Sequence, residues 1–288
     1  MPVHSEAFFL PVGEGQRYCL FHPAQSDHLQ RPARGLVLYV HPFAEEVNKT
    51  RRMAALQSRA LAQLGFSVLQ IDLQGCADST GDFADARWQV WLDDVVQGCH
   101  WLRHRAQAND GGAADVPLWL WGLRAGCLLA VQASAQLITP CNFLFWAPPP
   151  SGKTLLQQFL RIKLAGDMLD SQGSGSMQAL QQELEQGRSV EIAGYSLNAD
   201  LAHSLAQAVL APPDCVGASR QMEWLEISTR EDSGMSRQGT NALAQWQQAG
   251  YAVHQQQVRG PAFWQTSEIE TVPALISATC AALGRTSV

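Results

Sequence analysis

Trp119-Leu120-Trp121-Gly122-Leu123-Arg124-Ala125-Gly126-Cys127 is the stretch that decides the fold. An apolar run reaches Gly122, a turn carries small residues on both sides of Arg124, and an Ala/Leu-rich segment follows at once. A strand, the frame G-x-X-x-G and a helix, in that order, describe a sharp turn that lifts its central residue to the top of a sheet. The small neighbours are needed because the turn is tight and the helix packs against the strand. The central position calls for a nucleophile, Ser or at times Cys or Asp. Here it is Arg124.

Outward from this turn the chain alternates strand and helix. Gly35–Val40 is a short apolar run closed by His41-Pro42, the pattern of a strand buried on both faces. Met53, Leu56, Ala60, Leu61 and Leu64 recur at helical spacing, and Gly65 stops that helix. Strands are expected at Phe66–Leu73, Pro117–Trp121, Asn142–Trp146, Met222–Ser228 and Ala252–Val258. Helices are expected around Trp88–Leu102, after Gly122, over Gln238–Ala249 and near Ile269–Leu283. This alternation predicts an α/β protein with a mostly parallel central sheet flanked by helices. Ligands in such sheets bind beyond the C-terminal ends of the strands, so the residues there are the informative ones.

Composition narrows the function. The 288 residues carry 20 Lys+Arg against 26 Asp+Glu, a net charge of −6 with no basic stripe. That argues against nucleic acid as a partner. No apolar run approaches the ~20 residues of a membrane span. The N-terminus lacks the pattern of a signal peptide. The seven cysteines are an odd number and none forms C-x-x-C. This fits reduced thiols in the cytoplasm, with no metal and no cofactor expected.

The chain resembles the α/β-hydrolase superfamily, and within it the exosortase A system-associated hydrolase 2 family, which accompanies bacterial exosortase/PEP-CTERM and exopolysaccharide clusters. The resemblance spans nearly the whole chain. It is carried by His41-Pro42-Phe43-Ala44-Glu45-Glu46 with Asn48-Lys49 and Arg51-Arg52, by Asp72–Gly81, by Gly122–Gly126, and by Val258–Trp264. It implies an α/β-hydrolase core formed by residues 1–150 and 216–288. Residues 151–215 would form a helical, lid-like insert.

The resemblance also defines catalytic slots, and this chain fills them poorly. A guanidinium stays protonated and has no available lone pair, so Arg124 cannot attack a carbonyl. The histidine slot follows the last strand, yet no His occurs from Gln255 to Val288. The acid slot follows Ser228, where Asp232 is the matching carboxylate. Ala125 and Phe43 occupy the positions of the two oxyanion-hole amides; Pro42 has no N–H to offer. One reading is therefore a homologue without serine-hydrolase activity, acting as an anion- or ligand-binding or accessory protein. The other is an active hydrolase or acyltransferase with an atypical nucleophile or an activated water.

Arg124 itself has three readings. It is an internal ion-pair partner for Glu45, Glu46, Asp78 or Asp232, an anion site at a helix N-terminus, or an unusual catalytic group. Cys76 is the alternative nucleophile, with His41 as its base, and Ser79 lies in the same loop. Cys127 reads as a small buried hydrophobe. Trp146 and Trp264, at strand ends, are expected to line a cavity. Pro149-Pro150-Ser151-Gly152-Lys153-Thr154 resembles a phosphate loop, but its prolines remove the amides that would cradle phosphate. The expected partner is a small-molecule ligand or anion. A homo-oligomer and pairing with a partner hydrolase are both left open.

Overall fold

The computed structural model describes residues 4–25, 32–110, 116–169, 176–213, 220–230, 234 and 236–285. The chain opens with two antiparallel strands, β1 (Glu6–Val12) and β2 (Gly15–His22). Then come β3 (Gly35–Val40), α1 (Glu46–Gln63), β4 (Phe66–Ile71), α2 (Trp88–Asp110), β5 (Leu118–Leu123), α3 (Ala125–Ser134) and β6 (Asn142–Trp146). The segment after β6 holds α4 (Gly152–Leu169), α5 (Met177–Glu185), a hairpin of β7 (Val190–Ile192) and β8 (Tyr195–Leu197), and α6 (Ala199–Gln207). The chain returns through β9 (Arg220–Ser228), α7 (Arg237–Gln248), β10 (Tyr251–Arg259) and α8 (Pro273–Arg285).

Eight strands form one sheet in the order β1-β2-β4-β3-β5-β6-β9-β10. β2 runs antiparallel to β4, and every pair from β4 to β10 is parallel. Each parallel pair needs a crossover, and helices cover both faces. Met53, Ala54 and Leu61 of α1 and Leu275, Ala278 and Leu283 of α8 pack on one face. α2, α3 and α7 cover the other, and Leu155, Phe159, Leu160, Leu180 and Leu201 of the β6–β9 segment join that same apolar cluster. All six residues of β3 and all six of β5 are buried. This is why both read as unbroken apolar runs.

The antiparallel hairpin and the β7–β8 ribbon extend what the periodicity predicts. The remaining strands fall at the expected places, with β5 reaching Leu123. The segment between β6 and β9 is mixed rather than wholly helical, because Ala193-Gly194, both at positive φ, turn the chain back on itself.

Candidate functional site

β3 and β5 are neighbours, with Val40 opposite Gly122, so the loops leaving them meet at one end of the sheet. The contact is close. A Cβ on Gly126 would stand 2.0 Å from the Val40 carbonyl oxygen, and one on Gly122 would stand 2.5 Å from the Cys127 nitrogen. Only glycine permits this backbone approach. Between them Arg124 adopts φ 54°, ψ −116° at the start of α3, a conformation L-residues rarely hold. The strained strand-turn-helix geometry expected of this frame is present, with Arg124 at its apex.

Arg124 is 7% exposed, and its side chain is engaged on three sides. Its Nε donates to Glu46 Oε1 at 3.2 Å, and its Nη2 donates to Gln158 Oε1 at 2.5 Å. The Trp264 ring lies beneath the guanidinium, with 5.4 Å from Cζ to the ring centroid. Trp264 belongs to the loop after β10. An Arg–Trp cation–π contact thus joins the turn after β5 to the loop after β10. Glu46 is the first residue of α1, and the N-terminal dipole of that helix suits a carboxylate. Burial still dominates. It raises the Glu46 carboxyl to about 7, against the opposing pull of Arg124. Glu45, one residue earlier, is also raised by burial.

A cavity of about 510 Å³ opens beside this pair. Phe43, Leu155, Phe159 and Ile162 supply apolar walls; Glu45, Glu46, Lys49, Arg124, Gln158 and Gln265 supply polar ones. The cavity residues of α4 follow helical spacing, Leu155, Gln158, Phe159 and Ile162, so one face of α4 forms a wall. Phe159 packs edge-on against Phe43, with ring centroids 5.2 Å apart, tying this wall to the β3 loop.

The other predicted residues are placed as follows. Ala125 follows Arg124 at the start of α3 and Phe43 follows Pro42 beyond β3, both at the end of the sheet where the loops touch. Trp146 is fully buried and donates to Thr279 Oγ1, on the face covered by α1 and α8, away from the cavity. Ser79 Oγ donates to the Asp72 carbonyl and accepts from the Tyr18 amide, so it fastens β2 to the loop after β4. His41 bonds through both ring nitrogens, Nδ1 to the Pro42 oxygen and Nε2 to the Leu73 amide. Burial holds its pKa down, so it is a neutral loop clasp with no nitrogen left to activate a thiol. Cys76 is buried with its thiol pushed far up, the opposite of an activated nucleophile. Cys127 is likewise buried and raised. Lys153 is exposed, and a Cβ on Gly152 would meet the Leu205 carbonyl oxygen at 1.7 Å. That turn serves α4–α6 packing and not a phosphate cradle. Asp232 lies outside the described residues. Of the offered carboxylates that lie among the described residues, Glu45, Glu46 and Asp78, Glu46 is the one Arg124 pairs with. Gln158 and Lys49 complete the polar wall, and the one sign of this in the sequence is a Gln within the apolar face of α4.

No family model matches the chain. No curated protein matches either. Solved structures do. A carboxyl esterase of Bacillus coagulans, determined with glycerol, aligns with TM-score 0.62 at 14% identity over 99% of both chains. Est1E from Butyrivibrio proteoclasticus, determined with ferulic acid, aligns with TM-score 0.62 at 11% identity over 97% of both. The serine hydrolase XC6422 of Xanthomonas campestris, described as lacking a lid, aligns with TM-score 0.56 at 15% identity over 99% of this chain and 94% of its own. Sheet order, elbow geometry and these alignments agree: the chain has the α/β-hydrolase fold.

Proposed function

We propose that this protein is an α/β-hydrolase-fold protein without serine-hydrolase chemistry, and that its cavity beside Arg124 binds a small molecule. The observation that carries this reading is the Glu46–Arg124–Trp264 stack. It sets a permanent cation, its counter-ion and an indole at the turn after β5, and neither the guanidinium nor the indole can attack a carbonyl or take up a proton from a nucleophile. The resemblance to the exosortase A system-associated hydrolase 2 family supports an accessory role in exopolysaccharide or surface-protein pathways. The test is a fluorophosphonate probe together with a panel of p-nitrophenyl esters. We expect no covalent labelling and no turnover above buffer. Labelling of a single residue, blocked by excess ester, would overturn the reading.

A second reading, hydrolysis by activated water, is favoured by one observation. Glu46 Oε2 is buried without a hydrogen-bond partner, and the carboxyl titrates at about 7, suited to a general base. Ester turnover that disappears in Glu46→Gln, with no fluorophosphonate label, selects it.

A further inference from the structure

We infer that the cavity binds an amphiphilic carboxylate, its head seated on the free Nη1 edge of Arg124 and its chain along α4. The inference rests on the ligand-binding reading above and assigns the chemical class of that ligand.

The polar wall keeps donors open and acceptors closed. Arg124 has five N–H groups; Glu46 takes the one on Nε and Gln158 takes one on Nη2. Nη1 meets no acceptor among the described residues, yet it keeps accessible surface, and its residue lines the cavity. A guanidinium only donates, so the bond from Nη2 fixes Oε1 as the acceptor of Gln158 and leaves Nε2 as its donor. That amide nitrogen also lacks an acceptor among the described residues and is not sealed off. Lys49, one turn beyond Glu46 on α1, brings an ammonium to the same wall. Glu46 Oε2 and Glu45 Oε2, by contrast, have no accessible surface, and Glu46 Oε1 is occupied by Arg124. A ligand entering the cavity therefore meets N–H groups on two cations and an amide, the complement of an anion. A planar carboxylate matches the edge of a guanidinium, and the apolar wall of Phe43, Leu155, Phe159 and Ile162 suits a chain attached to it.

Charge sets when the site fills. The titratable groups lining the cavity are Glu45 before α1, Glu46 and Lys49 on α1, and Arg124 from the turn after β5; α4 and the loop after β10 contribute the uncharged Gln158 and Gln265. With Glu46 ionised, Arg124 already has its counter-ion, and an incoming anion faces a carboxylate. With Glu46 protonated, the guanidinium lacks a compensating charge, and the ligand supplies it. Burial raises Glu46 to about 7 and raises Glu45 as well, so this exchange falls near neutral pH. Ligand binding and protonation of Glu46 reinforce each other, and affinity falls as pH rises through about 7.

The test titrates the full chain by calorimetry with three probes that share an eight-carbon chain, octanoate, octylamine and 1-octanol, near pH 6 and near pH 8. We expect octanoate, ionised at both, to bind saturably near pH 6, about tenfold or more tighter than either other probe. Near pH 8 it should bind about five- to tenfold more weakly. Glu46→Gln mimics the protonated acid and should carry the affinity seen near pH 6 up to pH 8, a gain that misfolding does not produce. Lys49→Ala and Gln158→Leu, at half-buried positions, should each weaken octanoate about three- to tenfold, and Ile162→Trp, which fills the apolar end, should abolish binding. If Glu46→Gln fails to fold, the pH profile of the wild type and the two half-buried variants still decide. Tighter binding of octylamine or octanol, lost in Ile162→Trp, overturns the class and leaves the ligand-binding reading standing. Octanoate binding indifferent to both Lys49→Ala and Gln158→Leu overturns the seat assigned to the carboxylate, and equal octanoate affinity at the two pH values overturns the link to Glu46. Saturable binding by none of the three overturns the inference and the ligand-binding reading together; the absence of serine chemistry is read separately from the ester panel.

Discussion

Arg124 and Glu46 are each expensive alone and tolerable together. Removing one partner of a buried pair leaves the other charge uncompensated, typically at about 3–5 kcal/mol. Arg124→Ala should therefore destabilise the protein by that order in urea titration, and adding Glu46→Gln should return part of the loss; additive effects in the double variant would show that the two side chains are not coupled. Titration of Glu46 gives a second expectation. Its folded value of about 7 lies above the ordinary 4.5, so between those values the folded state holds the proton more firmly than the unfolded chain. Stability from this group is full below about pH 4.5 and falls as pH rises through about 7, by on the order of 3 kcal/mol. Glu45, Asp94 and Glu223 are raised by burial too and act with the same sign. The difference between wild type and Glu46→Gln isolates the Glu46 contribution. Equal slopes of stability against pH in the two proteins would refute it. At this scale the sequence was only partly legible. That Arg124 needs a carboxylate follows from its burial, and Glu46 was among four candidates. That Trp264 supplies the third contact depends on how two loops distant in sequence fold over one another. Trp146 shows the limit of reasoning from strand ends: side chains alternate across a strand, so the terminal residue of β6 faces α1 and α8 and not the cavity.

The elements rest on close backbone approach, which makes their glycines unequal. Gly126→Ala would put a methyl 2.0 Å from the Val40 carbonyl and Gly122→Ala one 2.5 Å from the Cys127 nitrogen, both against backbone that has nowhere to go. Each should cost more than about 3 kcal/mol and deplete soluble protein. Gly166, inside α4, has open space where a Cβ would be, so Gly166→Ala should stabilise by about 0.5–1 kcal/mol. Thermal melts of the three variants decide the matter; a Gly126→Ala protein as stable as wild type would show that the elbow is not pressed against the β3 loop. This is also where sequence spoke most clearly. β3 and β5 are central, buried on both faces and uniformly apolar, and G-x-X-x-G is a backbone requirement that holds whatever residue stands at its centre. β1 is an edge strand with β2 next to it, and exposed or half-exposed residues such as Phe9 and Leu10 dilute its pattern. β7 and β8 have three residues each, too few for any period to register.

For the molecule as a whole, the open question is whether the segment between β6 and β9 behaves as a lid. Its helices contribute Leu155, Phe159, Leu160, Leu180, Leu184, Leu201 and Leu205 to the same apolar cluster as α2, α3 and the central strands. Asn198 donates to the carbonyls of Ala84 and Ala86 at 2.9 Å each, and Asn48 of α1 reaches Tyr195 at 3.4 Å. A module this continuous with the core has no weak seam at which to part, so core and segment should unfold together. The chain offers a convenient separation of signals. All nine tryptophans lie outside residues 151–215, so their fluorescence reports the core alone. Far-UV circular dichroism also counts α4, α5 and α6. We expect the two thermal transitions to coincide. A helical loss that precedes the fluorescence change would mean the segment detaches first, and the cavity wall made by α4 would then be a gate and not a fixed surface.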